Sequence, residues 1–318
     1  MKILVTGGAG FIGSNVVDGY IEKGHSVVIA DNLYTGKREN INRSATFYET
    51  DIRSSEMESI IKKEKPDIIN HHAAQISVPA SVENPIFDAD VNIKGFINIL
   101  ETSRKNDVKK IIFISSGGAI YGEAGQYPTT ESYSPKPLSP YAISKFVSEH
   151  YLNYYNHQWG IDYTILRYSN IYGPRQIPHG EAGVVAIFMD LLMKNKPCTL
   201  YHFSDEPFGM VRDYCFVGDI VRANILALDH GTNDNFNIGT GKETNTMNLF
   251  KIIFEEIKKI KTDLDHKISD PETQIARPGD IPKSCLVIDK AKTALGWQPE
   301  VSLKKGIKST LEWYQQLH

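Results

Sequence analysis

The chain has 318 residues, 41% hydrophobic and 23% charged, with a net charge of −3. That length suffices for one large core or for two lobes that share one, and so mild a charge gives no reason to expect nucleic acid or an anionic membrane as partner. No stretch approaches a membrane span, the N-terminus has no signal-peptide organisation, and Cys198, Cys215 and Cys285 form no C-x-x-C pair. A reduced, cytoplasmic chain without a zinc site is therefore expected.

The first element is the apolar run Lys2–Val5, which reads as a strand, and residues 6–13 after it read TGGAGFIG. Gly7, Gly10 and Gly13 fall at the G-x-x-G-x-x-G spacing. A turn this tight needs positive φ, which glycine adopts without steric cost. A missing Cβ lets the backbone approach a pyrophosphate, and Gly13 lets the following helix, about 12–24, pack on the strand. The free N–H groups and positive dipole end of that helix then face the phosphates. A second strand, Ser26–Ala30, ends at Asp31, 18 residues after Gly13. A carboxylate there can accept from ribose hydroxyls and repels a 2′-phosphate, so NAD is expected over NADP.

Further short apolar runs follow at Thr46–Tyr48, Ile68–Asn70, Ile111–Ser115 and Tyr163–Leu166. Helical patterns lie between them at about 55–64, 89–106 and 141–159. This alternation predicts an α/β fold, a Rossmann-type doubly wound parallel sheet with helices on both faces. The run Ile111–Ile114 is continuously apolar, as in a strand covered on both sides. After residue 172 glycine and proline break the pattern, which predicts a smaller C-terminal lobe. One more strand, Phe236–Ile238, is expected to return to the main sheet. The expected division is therefore 1–172, joined by about 213–240, as a dinucleotide-binding domain, with 173–212 and 241–318 as a second lobe.

Tyr141 and Lys145 are four residues apart, one turn of a helix, so both side chains share a face. An ammonium near a phenol favours the phenolate, and a bound nicotinamide pushes the same way. The product is a general base for an alcohol proton at neutral pH. Ser115 and Ser116 end the strand before them, where a hydroxyl can bond a sugar oxygen and pass its proton to Tyr141. His71 and His72 also end a strand, but adjacent strand residues point to opposite faces, a poor arrangement for joint metal ligation.

Together the motifs TGGAGFIG, ADNLYTGKREN, HHAAQISV, FISSGGAIYGE, SPYAISK, LRYSNIYGPRQ, VRDY and RPGD resemble the extended short-chain dehydrogenase/reductase family, and within it the UDP-glucose 4-epimerases. The resemblance runs from Met1 to near the C-terminus. It implies NAD contacts at Gly7, Gly10, Phe11, Ile12, Gly13, Asp31, Asn32, Thr35, Gly36, Asp51 and Ile52. It implies further ones at Ala73, Ala74, Gln75, Asn92, Ser115, Tyr141, Lys145 and Tyr168. Counted back from Tyr121-Gly122, the family's catalytic hydroxyl falls on Gly117; counted forward from the strand, it falls on Ser116. The spacing to Tyr141 suits Ser116, which is taken as catalytic with Tyr141 and Lys145.

The same resemblance implies a UDP-sugar site. Its positions are Ser116, Gly117, Tyr141, Asn170, Val184, Tyr201, Arg212, Arg277, Asp280 and Ser284. Arginines suit a diphosphate because their forks bind it bidentately. Ser284 falls where the family guards the sugar's C2 substituent, and its small size implies acceptance of UDP-N-acetylhexosamines. The implied reaction interconverts UDP-glucose and UDP-galactose through a 4-keto sugar. Dehydratase and decarboxylase relatives carry an acid two residues before Tyr121, where this chain has Ala119. A UDP-glucuronate 4-epimerase stays open, and the retained Tyr141, Lys145 and Ser116 argue against a non-catalytic NAD sensor. A homodimer is expected through the helices near 89–106 and 141–159, which carry Phe146, Tyr151, Tyr154 and Tyr155.

Overall fold

Seven parallel strands form the centre of the computed structural model, which describes residues 1–178, 183–276 and 280–317. They are β1 (Lys2–Thr6), β2 (Ser26–Asp31), β3 (Thr46–Glu49), β4 (Ile68–His71), β5 (Lys110–Ser116), β6 (Asp162–Tyr168) and β7 (Asp234–Ile238). The order across the sheet is β7-β6-β5-β4-β1-β2-β3. The chain builds outward from β1 to β3, then crosses back to place β4 on β1's other edge. That reversal leaves a crevice at the carboxyl ends of β1 and β4, where open α/β sheets bind ligands.

The alternating strand pattern sorts the core into two layers. Ile112 and Ile114 face one side with Ile3, Val5 and Ile29, while Ile111 and Phe113 face the other with Leu4, Val28 and Ile69. On the first side lie α1 (Phe11–Glu22) and a helix we label α6 (Val217–Leu226), through Val16, Val17, Tyr20, Ile220 and Ala223. On the second lie α2 (Glu56–Glu64), α3 (Gly95–Lys105) and α4 (Pro140–Trp159). With both faces covered, continuous apolar runs are what the strands require. The returning strand joins as the β7 edge, paired along β6 from Asp234 to Ile238.

α4 begins cleanly: Ser139 accepts the Ala142 N–H at 3.2 Å and Pro140 occupies the first turn. These are strong start signals. It ends at Gly160, whose φ of 70° is the left-handed stop glycine favours. The helical pattern at 89–106 is interrupted. A short helix Pro85–Ala89 runs into a π-turn at Asp90–Lys94 before α3 begins at Gly95. Gly95 allows this because a Cβ there would stand 2.8 Å from Ile52 Cδ1. The π-turn rotates Asn92 inward.

The second core packs α5 (Val184–Met193), α7 (Thr246–Lys258) and α8 (Leu303–Leu317) around Phe188, Met189, Phe250, Ile253 and Ile307. Two-residue to four-residue strand pairs link this lobe to the sheet's edge, including Asn170–Tyr172 with Tyr214–Phe216 and Val211–Arg212 with Thr244–Asn245. Ile288, Ala291, Leu295 and Trp297 pack with the first core. Among the described residues no helix is long and apolar enough to cross a membrane. The three cysteines are buried free thiols.

Of the aromatic residues expected at a subunit face, Tyr154 is exposed, whereas Tyr155 is buried and donates to Glu101 Oε1 at 2.6 Å. Tyr151 packs on the second core layer and Phe146 beside Ile120 and Tyr121. Val82 (58% exposed), Ile86 (81%) and Ile143 (46%) are also exposed, as are Ile76, Leu138, Ile260 and Ile275. α3 turns its apolar face into the core.

Candidate active site

The glycine turn is built by close backbone approach. Gly7 has φ of 69°, and a Cβ there would lie 2.7 Å from the Ala73 nitrogen. A Cβ on Gly13 would lie 2.2 Å from the Gly7 carbonyl oxygen. Gly10 caps α1 with no side chain of its own, so the helix's first N–H groups open onto the crevice. Asp31 is buried beside this turn. It accepts the Ala9 N–H at 2.9 Å and the Leu33 N–H at 2.8 Å, and Gly36 leaves room for its Oδ1. Burial pushes its carboxyl up while those two bonds hold it down. The acid therefore fastens the glycine turn to β2 and keeps lone pairs for a ribose. This cradle fits a dinucleotide: the tight backbone packing brings the free N–H groups at the start of α1 to the crevice, where phosphate oxygens can accept from them.

Asp51 sits at the far end of the crevice. Arg53 grips both of its oxygens at 2.9 Å and Asn32 donates to Oδ2 at 2.9 Å, which lowers the carboxyl to about 2. Ile52 beside it is buried in the second core layer, and Thr35 is exposed. Phe11 and Ile12 begin α1. Asn92 acts on the loop after β4: its Oδ1 accepts the Gln75 N–H at 2.8 Å and its Nδ2 donates to the Gln75 carbonyl at 2.9 Å. It thereby fixes Ala73, Ala74 and Gln75 along the crevice wall. His71 pairs with Thr6 at 2.9 Å and stacks on Phe113, a core role. No group of three or more possible metal ligands is present among the described residues.

At the carboxyl end of β5 the catalytic candidates converge. The Ser116 side chain faces the Tyr141 phenol and favours its ionised form. Lys145 is buried, lies over the Phe113 ring and donates to the Ile114 carbonyl at 3.0 Å. Burial lowers its ammonium to about 8. The Tyr141 phenol is pushed up to about 12, chiefly by burial, although Ser116 pulls it down. The expected lowering toward neutrality is therefore not supplied by the protein's own groups, because desolvation outweighs the distant ammonium.

The two alignments of the hydroxyl position also separate physically. A Cβ at Gly117 would meet Leu286 Cδ1 at 2.7 Å and the Arg167 carbonyl at 3.1 Å, so a side chain there would have to displace Leu286 and crowd that carbonyl. Ser115 is turned away: its hydroxyl donates to Glu149 at 2.6 Å inside the protein. The Tyr168 phenol likewise faces the core and accepts from Asn224 at 2.6 Å.

Across the crevice, the space at Gly118 is ringed by Asn170, Ser284 and Ser116. A Cβ there would lie 3.7 Å from Asn170 Oδ1, 3.8 Å from Ser284 Oγ and 4.0 Å from Ser116 Oγ. Asn170 Oδ1 is buried without a partner. An orphaned buried acceptor beside two hydroxyls suits a polyhydroxylated ligand. Arg212 donates to the Val211 carbonyl at 2.9 Å, the Ile281 carbonyl at 2.8 Å and Met210 Sδ at 3.2 Å, all uncharged acceptors, so its charge stays available to an anion. Asp280 lies near it and raises its pKa against the lowering by burial. Tyr201 lies on the strand Thr199–His202 and Val184 opens α5, both in the second lobe. Arg277 lies outside the described residues.

Sequence reasoning passed over Asp213, which is fully buried and binds Thr240 and Gly241 N–H groups at 2.8 and 3.1 Å. It also passed over Glu149 and Arg167. The signal for Glu149 was available: it falls four residues after Lys145, a charge on a core-facing stripe.

Residues 4–310 match the family described as GDP-mannose 4,6 dehydratase. The chain is similar to a Thermotoga maritima UDP-glucose 4-epimerase solved with UDP-glucose, at 48% identity and TM-score 0.93 over 100% of this chain and 99% of that one. A Thermus thermophilus UDP-glucose 4-epimerase in complex with NAD is 42% identical, with TM-score 0.91 over 99% of both chains. A UDP-N-acetylglucosamine 4-epimerase from Methanobrevibacter ruminantium, in complex with UDP-N-acetylmuramic acid, is 32% identical with TM-score 0.90, covering 100% of this chain and 99% of that one. With a Rossmann sheet, a glycine cradle and a Ser116–Tyr141–Lys145 cluster along its whole length, the chain belongs to the UDP-glucose 4-epimerase branch of this nucleotide-sugar-modifying family.

Proposed function

We propose that this chain is an NAD-dependent UDP-hexose 4-epimerase that interconverts UDP-glucose and UDP-galactose. The observation that carries the reading is the convergence of Ser116, Tyr141 and buried Lys145 at the carboxyl end of β5, the same end of the sheet as the glycine cradle. In this reading Tyr141 takes the proton of the sugar's 4-hydroxyl, with Ser116 bridging the two oxygens. NAD, when bound, supplies the hydride acceptor and donor and a positive charge beside the phenol. Lys145 adds charge and is held by Ile114 so that it cannot drift. Tyr141 later returns the proton to the opposite face of C4, and Arg212 keeps the diphosphate while the 4-keto sugar turns. Ala119 offers no acid for dehydration. The direct test is incubation with UDP-galactose alone: UDP-glucose should accumulate without added reductant, and none would overturn the reading.

Residues 1–172 with about 213–240 form the NAD-binding part in this reading, and 173–212 with 241–318 the sugar-nucleotide part. Arg212→Ala is expected to raise KM more than it lowers kcat, because a diphosphate anchor binds ground and transition states alike. Steady-state kinetics with UDP-galactose measure both.

The small, buried Ser284 beside Gly118 supports acceptance of N-acetylated sugars. Ser284→Tyr is expected to cut kcat/KM for UDP-N-acetylglucosamine by about 10- to 100-fold while sparing UDP-glucose, because an added ring costs steric room of that order. Parallel kinetics on the two substrates check it.

The exposed Val82, Ile86 and Ile143 support a homodimer through the 78–89 segment and α4. Sedimentation at micromolar concentration should give about 71 kDa, twice the chain mass of 35.7 kDa. Three buried free thiols agree with a reducing cytoplasm.

A further inference from the structure

Three successive residues of β5 each meet a different residue of α4. The Ile114 carbonyl takes the Lys145 ammonium at 3.0 Å, the Ser115 hydroxyl donates to Glu149 Oε1 at 2.6 Å, and Ser116 faces the Tyr141 phenol. Tyr141, Lys145 and Glu149 are spaced by four, a single stripe of the helix. Glu149 is held a second time, from β6. Arg167 Nε donates to Oε1 at 3.0 Å and Arg167 NH2 to Oε2 at 2.6 Å, with both side chains 6% exposed. That fork fixes position as well as charge.

Arg167 reaches further. Its NH1 donates to the Tyr121 hydroxyl at 2.9 Å, which donates to Asn237 Oδ1 at 2.8 Å on β7. Asn237 in turn donates to the Thr129 carbonyl at 3.0 Å. The network therefore joins α4, the ends of β5, β6 and β7, and the loop from Gly117 to Thr129 that starts at the catalytic hydroxyl. Nothing in it touches the crevice: Ser115 points inward, and Arg167 lies beside it in register.

We propose that Glu149 and Arg167 are positioning residues for proton transfer, fixing the register of α4 on β5 so that the Ser116 hydroxyl and the Tyr141 phenol stay face to face. A slip of α4 by a fraction of a turn would part them while leaving the glycine cradle and Arg212 untouched. Misplacement by about 1 Å can cost about 100-fold in rate. The inference rests on the proposed epimerase reading for its kinetic consequence, and its geometric consequence stands apart from it.

The test uses Glu149→Gln and, because an unpaired buried Arg167 can prevent folding, the milder Ser115→Ala, which removes one bond of the zipper. With UDP-galactose, Glu149→Gln is expected to lower kcat about 10- to 100-fold and Ser115→Ala about 3- to 10-fold, with KM and bound NAD unchanged. Adding either change to Ser116→Ala should cost no further rate, because both act through the same Ser116–Tyr141 pair. Effects that multiply with Ser116→Ala, or that fall on KM and NAD content, would overturn the proposal. Crystal structures supply the readout that does not depend on activity. A Ser116 Oγ–Tyr141 Oη distance longer than in the wild type is expected in Glu149→Gln or, failing its crystallisation, in Ser115→Ala. An unchanged pair would overturn the proposal even if the wild type proved inactive on UDP-galactose, a result that would by itself count only against the epimerase reading.

Discussion

Tyr141→Phe is expected to lower kcat by about 10²- to 10⁴-fold, the loss typical of removing a general base. Binding of NAD and UDP-sugar should survive, because the ring keeps its place on α4 and the change removes a single hydroxyl that faces Ser116. The pH dependence follows from the same environment. Burial places the phenol at about 12 in the protein alone, so at neutral pH it is protonated. If the phenolate is the reactive base, rate rises with pH, and any added positive charge moves that limb down. Removing the Ser116 hydroxyl, which favours the phenolate, moves it up. Burst and steady-state kinetics across pH, with isothermal titration of UDP-galactose into the variant, measure both halves; near-normal turnover would hand the proton to another residue.

The second large effect is expected at the cradle. Gly13→Ala should abolish NAD co-purification and weaken added NAD about 10- to 100-fold, the scale of overpacking strain. A Cβ there would stand 2.2 Å from the Gly7 oxygen and 2.9 Å from its carbonyl carbon. Both are backbone atoms of the turn itself, so the contact cannot be relieved by a rotamer change. The turn must open, and α1 must shift away from β1. Gly125→Ala is the control, since nothing lies within 4 Å of a Cβ at that position. Denaturing each purified protein and assaying the supernatant for NAD decides the matter. A full complement of NAD in Gly13→Ala would contradict the cradle.

Most of the sheet was legible because buried parallel strands are apolar on both faces, as Ile111–Ile114 is, and because glycine turns have one conformational reason to exist. The Tyr141–Lys145 pair was legible from helical spacing. What was not legible depends on residues distant in sequence. Gly117 and Ser116 exchange roles in the two alignments, and Leu286, packed where a Gly117 side chain would go, separates them. The helix expected from 89 breaks at Asp90–Lys94, where Asn92 turns in to hold Gln75. The phenol's high pKa comes from burial, which spacing does not report. Tyr155 read as surface, but Glu101, on a helix from another part of the chain, draws its hydroxyl inward.

The central claim is a redox cycle that closes on one carbon. It is tested most directly with UDP-galactose deuterated at C4 and no added nucleotide, following the UDP-glucose formed by NMR and mass spectrometry. The account predicts that deuterium stays on C4 with inverted configuration and no solvent hydrogen entering there. Solvent hydrogen at C4, or deuterium moved to C6 with loss of water, would contradict it.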